Sequence, residues 1–414
     1  MPKKFDVIVF GATSFVGKIL CRYLLTEYAG KPNAPTWAIA ARSKTKLADL
    51  LQELNDEGLD ASGLKVIVAD SSDEESLKAM CKQTAVLVST VGPYALYGET
   101  LVKVCAELGT DYCDLTGETP WVAKMITKYE ALAQASGARI VHCCGFDSIP
   151  SDMGVWFLQA QAKKQFNAPC PYVTMRVKKM KGSASGGTIA SILNIMKEAS
   201  SDAELRKLMA NPYAMCPANF APKAKQYNQL LAAHDENFDV WTAPFIMAGV
   251  NTRVVFRSNA LLNGAYSTAN SPFTYNEAMM MGTGTVGRIK AMQFSAGLGG
   301  FAIAAAIKPS RWALEKFLPK PGEGPNRQAQ LDGYFDLRFH GITASGQEIK
   351  TKVTGDQDPG YGSTGKMLGQ AAICLAFDIT KDKKPGGFWT PASLFGNLLI
   401  KRLQGQAGLT FEVI

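Results

Sequence analysis

The sequence predicts an α/β chain: an N-terminal doubly wound parallel sheet, a second α+β domain, and C-terminal helices that return to the first domain. Three observations carry this expectation. Strand-like and helical runs alternate from Phe5 to about residue 145, and such alternation builds a parallel sheet with helices on both faces and right-handed crossovers. The first strand runs straight into a glycine turn and then a helix. After Pro150 the pattern changes to strand runs set among irregular polar segments. The expected domains are 1–150, 151–357 and 358–414.

Composition narrows the class. A chain of 414 residues can bury two full cores. The net charge of +8 is mild for this size. Its basic residues are scattered, without an aromatic-interleaved stripe, which argues against nucleic-acid binding. The nine cysteines are odd in number, several fall in predicted strands and helices, and none forms a zinc-type CxxC pair. Reduced, buried thiols in a cytoplasmic protein without a metal site are expected. Met-Pro-Lys-Lys leads directly into the first strand and does not resemble a secretory signal.

The run Phe5–Phe10 is apolar and β-branched, as a strand buried on both faces requires. Gly11 permits a tight turn, and Gly17 permits close helix–strand packing. In the following helix Val16, Leu20, Tyr23 and Leu24 share a face, and Gly30-Lys31-Pro32 ends it. Strand, glycine turn and helix together read as a dinucleotide-binding fingerprint of the Rossmann type, with the helix N-terminus offered to a pyrophosphate. Ser14 replaces the usual middle glycine, and its hydroxyl is a potential phosphate donor.

The second strand, Thr36–Ala41, ends in Arg42-Ser43-Lys44. An acidic residue here would hold ribose hydroxyls and repel a 2′-phosphate. Arg42 instead offers a fork of donors, Ser43 a hydroxyl, and Lys44 and Lys46 further charge, so NADP is expected rather than NAD. Asp70, after the third strand Leu64–Ala69, sits where an adenine edge would lie or serves as a helix cap. The fourth strand, Ala85–Val91, leads into Gly92-Pro93, and Val91, Gly92 and Pro93 are expected beneath the nicotinamide half. The fifth and sixth strands, Asp111–Leu115 and Ala138–Cys143, end in loops carrying Asp114, Glu118, Asp147 and Asp152. With Tyr94 and Tyr97, these residues are expected at one sheet edge, although Asp114 and Asp152 also suit helix caps. His142 falls inside the sixth strand and is expected in the core.

Beyond Pro150, Gly154–Lys163 is expected as a helix and Tyr172–Lys178 as a strand. Residues 181–188 should form a flexible loop before the helix Ile189–Glu198. Further strands are expected at Val250–Phe256, Phe273–Ala278, Tyr334–His340 and Glu348–Thr354, with Ser201–Asp239 irregular and the second sheet covering the cofactor cleft. Phe294–Ile307 is uncharged and apolar apart from Ser295, with Arg288, Lys290, Lys308 and Arg311 on either side. It is shorter than the roughly 20 residues of a membrane span. That leaves a buried helix, a homodimer contact, a lid over a greasy substrate, or a peripheral lipid-facing surface. Pro319–Pro325 should be an exposed loop. Helices Thr364–Ala376 and Ser393–Leu403 and an edge strand Leu409–Val413 are expected to close the chain.

The motifs GATSFVG, AARS, STVGPYALYGE, DLTGE, GFDSIPSD, SGGT, PGEGP and GGFWTPAS, in this order, resemble the saccharopine-dehydrogenase-like oxidoreductases. The nearer branch is the one that includes bacterial trans-acting enoyl reductases. The resemblance implies an NADP-binding Rossmann domain, and it matches Gly11, Thr13, Ser14, Phe15, Val16, Gly17 and Arg42 to the cofactor site. It implies an NADPH-dependent reductase acting on an enoyl bond in a hydrophobic acyl or lipid-like substrate. Two alternatives stand beside it: a non-catalytic NADP-binding protein associated with membrane or lipid, and a saccharopine-type amino-acid or imine dehydrogenase. No arginine cluster suited to a substrate rich in carboxylates is apparent, and no Tyr-x-x-x-Lys pair is present. After hydride addition to a conjugated C=C, a donor must stabilise the carbonyl oxygen and an acid must protonate the α-carbon. Tyr94 and Tyr97 are the candidate donors, and Asp147 or Glu118 can serve only if burial keeps the carboxyl protonated.

Overall fold

The computed structural model describes residues 3–182, 186–221, 224–307, 309–312 and 324–414, and their side chains except at 186–190 and 192. Lys308, residues 183–185 and most of the 319–325 loop lie outside the described residues. The chain divides into two compact units. One comprises the described residues within Met1–Ile149, Gly322–Gly324 and Gly360–Gly408; the other comprises the rest, including Leu409–Ile414.

The first unit is built on a seven-stranded sheet containing β1 (Phe5–Phe10), β2 (Trp37–Ala41), β3 (Lys65–Val68), β4 (Thr84–Ser89), β5 (Asp111–Asp114) and β6 (Arg139–Val141). A late strand, β13 (Gly387–Trp389), completes it in the order β13-β6-β5-β4-β1-β2-β3. Every pairing is parallel. The strand order reverses at β1, flanked by β2 and β4, and ligands of such sheets bind at that switch point. Val7, Ile8 and Val9 are buried, which accounts for the unbroken apolar run. At the opposite edge, β3 leaves Val68 half exposed.

The crossovers supply α1 (Phe15–Tyr28), α2 (Lys44–Asp56), α3 (Glu74–Cys81), α4 (Tyr94–Tyr97), α5 (Glu99–Leu108) and α6 (Thr119–Ser136). The late helix Thr364–Phe377 packs on α1. A Cβ at Gly365 would lie 2.9 Å from Ile19 Cγ2, and one at Gly369 would lie 3.0 Å from Tyr23 Cε1, so glycine is what allows this approach. Buried Gln370 donates to the hydroxyls of Tyr23 at 2.6 Å and Tyr28 at 3.1 Å. Buried Arg139 pairs with Asp111 and donates to the carbonyls of Ile379 at 2.6 Å and Leu375 at 3.0 Å. A buried guanidinium needs this full set of partners to offset its desolvation.

The second unit carries β7 (Tyr172–Lys181), β8 (Ala233–Asp235), β9 (Val240–Pro244), β10 (Thr274–Gly282), β11 (Tyr334–Ile342), β12 (Glu348–Gly355) and β14 (Leu409–Val413). Their order is β14-β12-β11-β7-β10-β9-β8. Only β7 and β10 pair in parallel; the other neighbours are antiparallel. Its helices include α7 (Ile149–Phe166), α8 (Gly186–Ser201), α9 (Ala203–Ala210), α10 (Ala248–Leu261) and α11 (Gly284–Ala306).

Three expectations change here. Val250–Phe256 is not a strand but part of α10. Its buried positions Ala248, Asn251, Val255 and Ser258 follow helical spacing, and two of them are polar, so the apolar run Val254-Val255-Phe256 alone misleads. Ser201–Asp239 is not irregular throughout, since it contains α9 and β8. The apolar segment expected at Phe294 belongs to a helix that begins at Gly284 and spans 23 residues, long and apolar enough to cross a membrane by length and composition.

Candidate active site

The glycine turn after β1 is shaped by backbone contact. Gly11 has φ 86°, where a side chain is strained, and its Cβ would lie 2.7 Å from Thr90 Oγ1. A Cβ at Gly17 would lie 2.2 Å from the Gly11 carbonyl oxygen, so only glycine lets α1 descend this closely onto the turn. Ser14 is the N-cap of α1: its hydroxyl accepts from Gly17 N–H at 2.9 Å and lies 2.9 Å from Thr90 Oγ1. Thr90 also donates to the Gly11 carbonyl at 2.9 Å. The backbone N–H groups of Thr13, Phe15 and Val16 have no protein partner among the described residues. Unpaired amides at the N-terminus of a 14-residue helix form an anion cradle. That arrangement fits a dinucleotide pyrophosphate.

Arg42 follows β2, is exposed, and has no ion pair or hydrogen bond among the described residues. Ser43 caps α2 by accepting from Lys46 N–H at 3.3 Å. Asp70 folds back on Ser72, accepting from its N–H at 2.9 Å and its hydroxyl at 2.8 Å. The Ser72 N–H and then its hydroxyl hold the Asp70 carboxyl below the usual range, with a smaller contribution from Arg42. The cap of α3 is Asp73 rather than Asp70. A free guanidinium beside a serine-capped helix start fits a 2′-phosphate.

Beyond β4, the Gly92–Pro93 peptide is cis. Glu118 then clamps the start of α4, accepting from the amides of Tyr94 and Ala95, each at 2.9 Å. The two tyrosines of α4 separate. Tyr94 is 5% exposed, packs 5.6 Å from Trp121, and donates its hydroxyl to the Ser89 carbonyl at 3.0 Å. Burial pushes its phenol well above its ordinary value. Tyr97 is 47% exposed, and its hydroxyl has no partner among the described residues.

At the ends of β5 and β6 Asp114 and His142 lie in a buried polar cluster. Asp114 accepts from Tyr112 Oη at 2.9 Å, from Thr116 N–H at 3.1 Å and from Cys143 N–H at 3.2 Å. His142 Nδ1 lies 2.7 Å from its Oδ2, and because a carboxylate only accepts, Nδ1 carries the proton. The His142 ring is enclosed by Tyr112, Trp121 and Phe388. Cys143 has φ 62°, an uncommon conformation for a side-chain-bearing residue, held by that bond to Asp114 and by Cys144 N–H on the Asp114 carbonyl at 2.7 Å. The next turn is fixed by Phe146 N–H donating to Thr364 Oγ1 at 3.0 Å.

Asp147 projects from this fastened turn. It is partly exposed and has no hydrogen-bond partner among the described residues. Desolvation alone pushes its carboxyl up to about 7. Asp152 lies in the second unit and accepts from Ser258 Oγ on α10 at 2.5 Å. The contributions of Thr90, Glu118 and His142 arise from contacts distant in sequence. The sequence offers Glu118 as a loop acid and candidate donor and His142 as a core residue; it carries no signal for the contacts they make here, and none for Thr90.

The sequence profile of the saccharopine dehydrogenase NADP-binding domain matches residues 7–141. A protein of Mycobacterium tuberculosis named as a candidate trans-acting enoyl reductase is 36% identical over 421 residues, covering 99% of this chain and 98% of that one. The trans-acting enoyl reductase of Mycobacterium bovis is 33% identical over 413 residues, covering 97% and 96%. The chain belongs to the saccharopine-dehydrogenase-like oxidoreductases. Like that family it is an NADP-dependent oxidoreductase. Its fold is shared with apo saccharopine dehydrogenase (L-Glu forming) from Saccharomyces cerevisiae, at TM-score 0.54 and 12% identity, covering 99% of this chain and 100% of that one. It is also shared with homospermidine synthase from Legionella pneumophila, at TM-score 0.51 and 11% identity, covering 99% and 92%. Within this oxidoreductase the α1 cradle and Arg42 fit NADP on their own chemistry: unpaired amides for the pyrophosphate, and an unpaired guanidinium where NAD-type sites carry an acid.

Proposed function

We propose that this oxidoreductase reduces the conjugated C=C bond of an enoyl group in a hydrophobic acyl substrate, with Asp147 as the proton donor. The printed activity of its full-length relatives supports the reaction class. The observation that carries the reading is Asp147, an unpartnered carboxyl poised near neutrality by burial at the carboxyl edge of a Rossmann sheet. Bound NADPH would supply the hydride, to the β-carbon. Asp147 then delivers its proton to the α-carbon and regains one from solvent, which its partial exposure permits. The free hydroxyl of Tyr97 donates to the carbonyl oxygen that carries the developing charge. Tyr94 contributes indirectly, since its hydroxyl is engaged with Ser89 and its ring with Trp121. The amides of Thr13, Phe15 and Val16 would hold the pyrophosphate, Arg42 and Ser43 the 2′-phosphate, and Val91, Gly92 and Pro93 would lie toward the nicotinamide.

The test is a panel of enoyl thioesters of increasing chain length, β-ketoacyl thioesters, and amine plus α-keto acid mixtures, followed by NADPH consumption and product mass. The proposal expects enoyl thioesters to turn over and longer apolar chains to give higher kcat/KM. Preference for the amine and keto-acid mixtures would replace it with an imine-reducing activity.

A further inference from the structure

A surface helix ordinarily turns its bulky apolar residues inward. In α11 the arrangement is reversed. The buried positions are small: Gly287, Ala291, Ser295 and Ala305. Val286 and Ile303 are 64% and 65% exposed, and Ile289, Met292, Phe294 and Ile307 also face outward. The helix is fastened to its own unit through its first half, where Gly287, Ala291 and Ser295 are buried, whereas the space about Gly297, Gly299 and Gly300 is open. It packs on β9, β10 and α8, and a Cβ at Gly287 would lie 2.2 Å from the Gly282 carbonyl oxygen. Its small inner residues allow that close approach, and its large outer residues are left in water. At 1.5 Å per residue the exposed apolar positions from Val286 to Ile303 span about 26 Å.

Charge identifies what covers it. No Asp or Glu occurs between Glu277 and Glu315. Arg288 and Lys290 are exposed on the first half of α11, and Arg311 follows its end beside Trp312, which is 62% exposed. A second copy of this helix would meet the same cations and offer no carboxylate in either orientation. An anionic lipid surface provides both an apolar layer for the ridge and negative headgroups for the flanking cations, with Trp312 suited to the boundary between them. We propose that α11 is an in-plane membrane-binding element that seats the second unit on an anionic bilayer. Because Gly287, Ala291 and Ser295 hold the first half of the helix against its own unit, the proposed mode lays the helix along the interface instead of threading it through.

The experiment is flotation of the full-length protein with vesicles of phosphatidylcholine alone and of phosphatidylcholine with phosphatidylserine, alongside equilibrium sedimentation. The wild type should float with the anionic vesicles, less so as salt rises. Ile289→Asp with Ile303→Asp, both at exposed positions, should lower vesicle affinity more than about tenfold while NADPH affinity is unchanged. Arg288→Gln with Lys290→Gln should lower affinity for anionic vesicles about 30-fold and leave the weak binding to neutral vesicles unaltered. Wild-type protein that ignores anionic vesicles overturns the proposal without reference to any variant. So does a dimer that the aspartate pair dissociates while flotation stays the same.

Discussion

Replacing Asp147 with Asn separates its contribution to stability from its contribution to chemistry. The carboxyl is raised from 3.8 to about 7 by burial, with no partner to offset the desolvation of the charge. A folded-state value above the unfolded one means that the native state binds the proton more tightly. The resulting stabilisation is complete below about pH 4 and is lost as pH rises towards about 7. The interval corresponds to roughly 4 kcal/mol at 1.36 kcal/mol per unit. Asp147→Asn cannot ionise, so its stability relative to the wild type should improve by an amount of that order between about pH 4 and pH 8. Denaturant unfolding at those two pH values measures the difference directly. Activity should move the other way: loss of a general acid lowers kcat by roughly 100-fold or more, while NADPH affinity is retained. Wild-type kcat/KM should decline above about pH 7, and the residual activity of the variant should not show that step. A stability gap that is the same at both pH values would refute the burial argument. Unchanged turnover would refute the role as acid.

Arg42→Asp should weaken NADPH roughly 10- to 100-fold, the range of a lost charge-assisted bond, and leave NADH within a few-fold; calorimetric titration of both cofactors checks this, and equal losses would count against the 2′-phosphate assignment. Gly17→Ala places a methyl 2.2 Å from the Gly11 carbonyl oxygen, so it should cost about 1–3 kcal/mol in stability and most of the NADPH affinity; an unaltered melting temperature would contradict the close packing. Tyr94→Phe strips Ser89 of a buried donor and should lower stability by about 1 kcal/mol with kcat nearly retained. Tyr97→Phe should leave the melting temperature in place and depress kcat, and the reverse pattern in the two variants would exchange their assignments.

The first sheet was legible because parallel strands are buried on both faces. Phe5–Phe10 therefore appears as one apolar run, and Gly11 and Gly17 mark the turn that β1 must make. The expectation of NADP rests on one position, since Arg42 stands at the end of β2 where NAD-type sites carry an acid. The second unit was harder to read. The helical period of α10 is carried partly by buried Asn251 and Ser258, which a hydrophobic pattern passes over. The apolar composition of α11 was plain, but its outward-facing side was not, because small residues on one face say nothing about how near the sheet comes. Tyr94 and Tyr97 share one short helix, and only the packing of Trp121 and the Ser89 carbonyl buries the first and frees the second. Asp147 was legible as an acid in a loop, yet its proton affinity depends on how much water the folded chain removes around it. Asp114 and His142 stand 28 positions apart and meet because β5 and β6 pair in one register. Local periodicity records which side of an element meets solvent. Tertiary structure alone decides which distant donor, acceptor or ring occupies the other side, since that depends on strand register and close packing between segments remote in the chain.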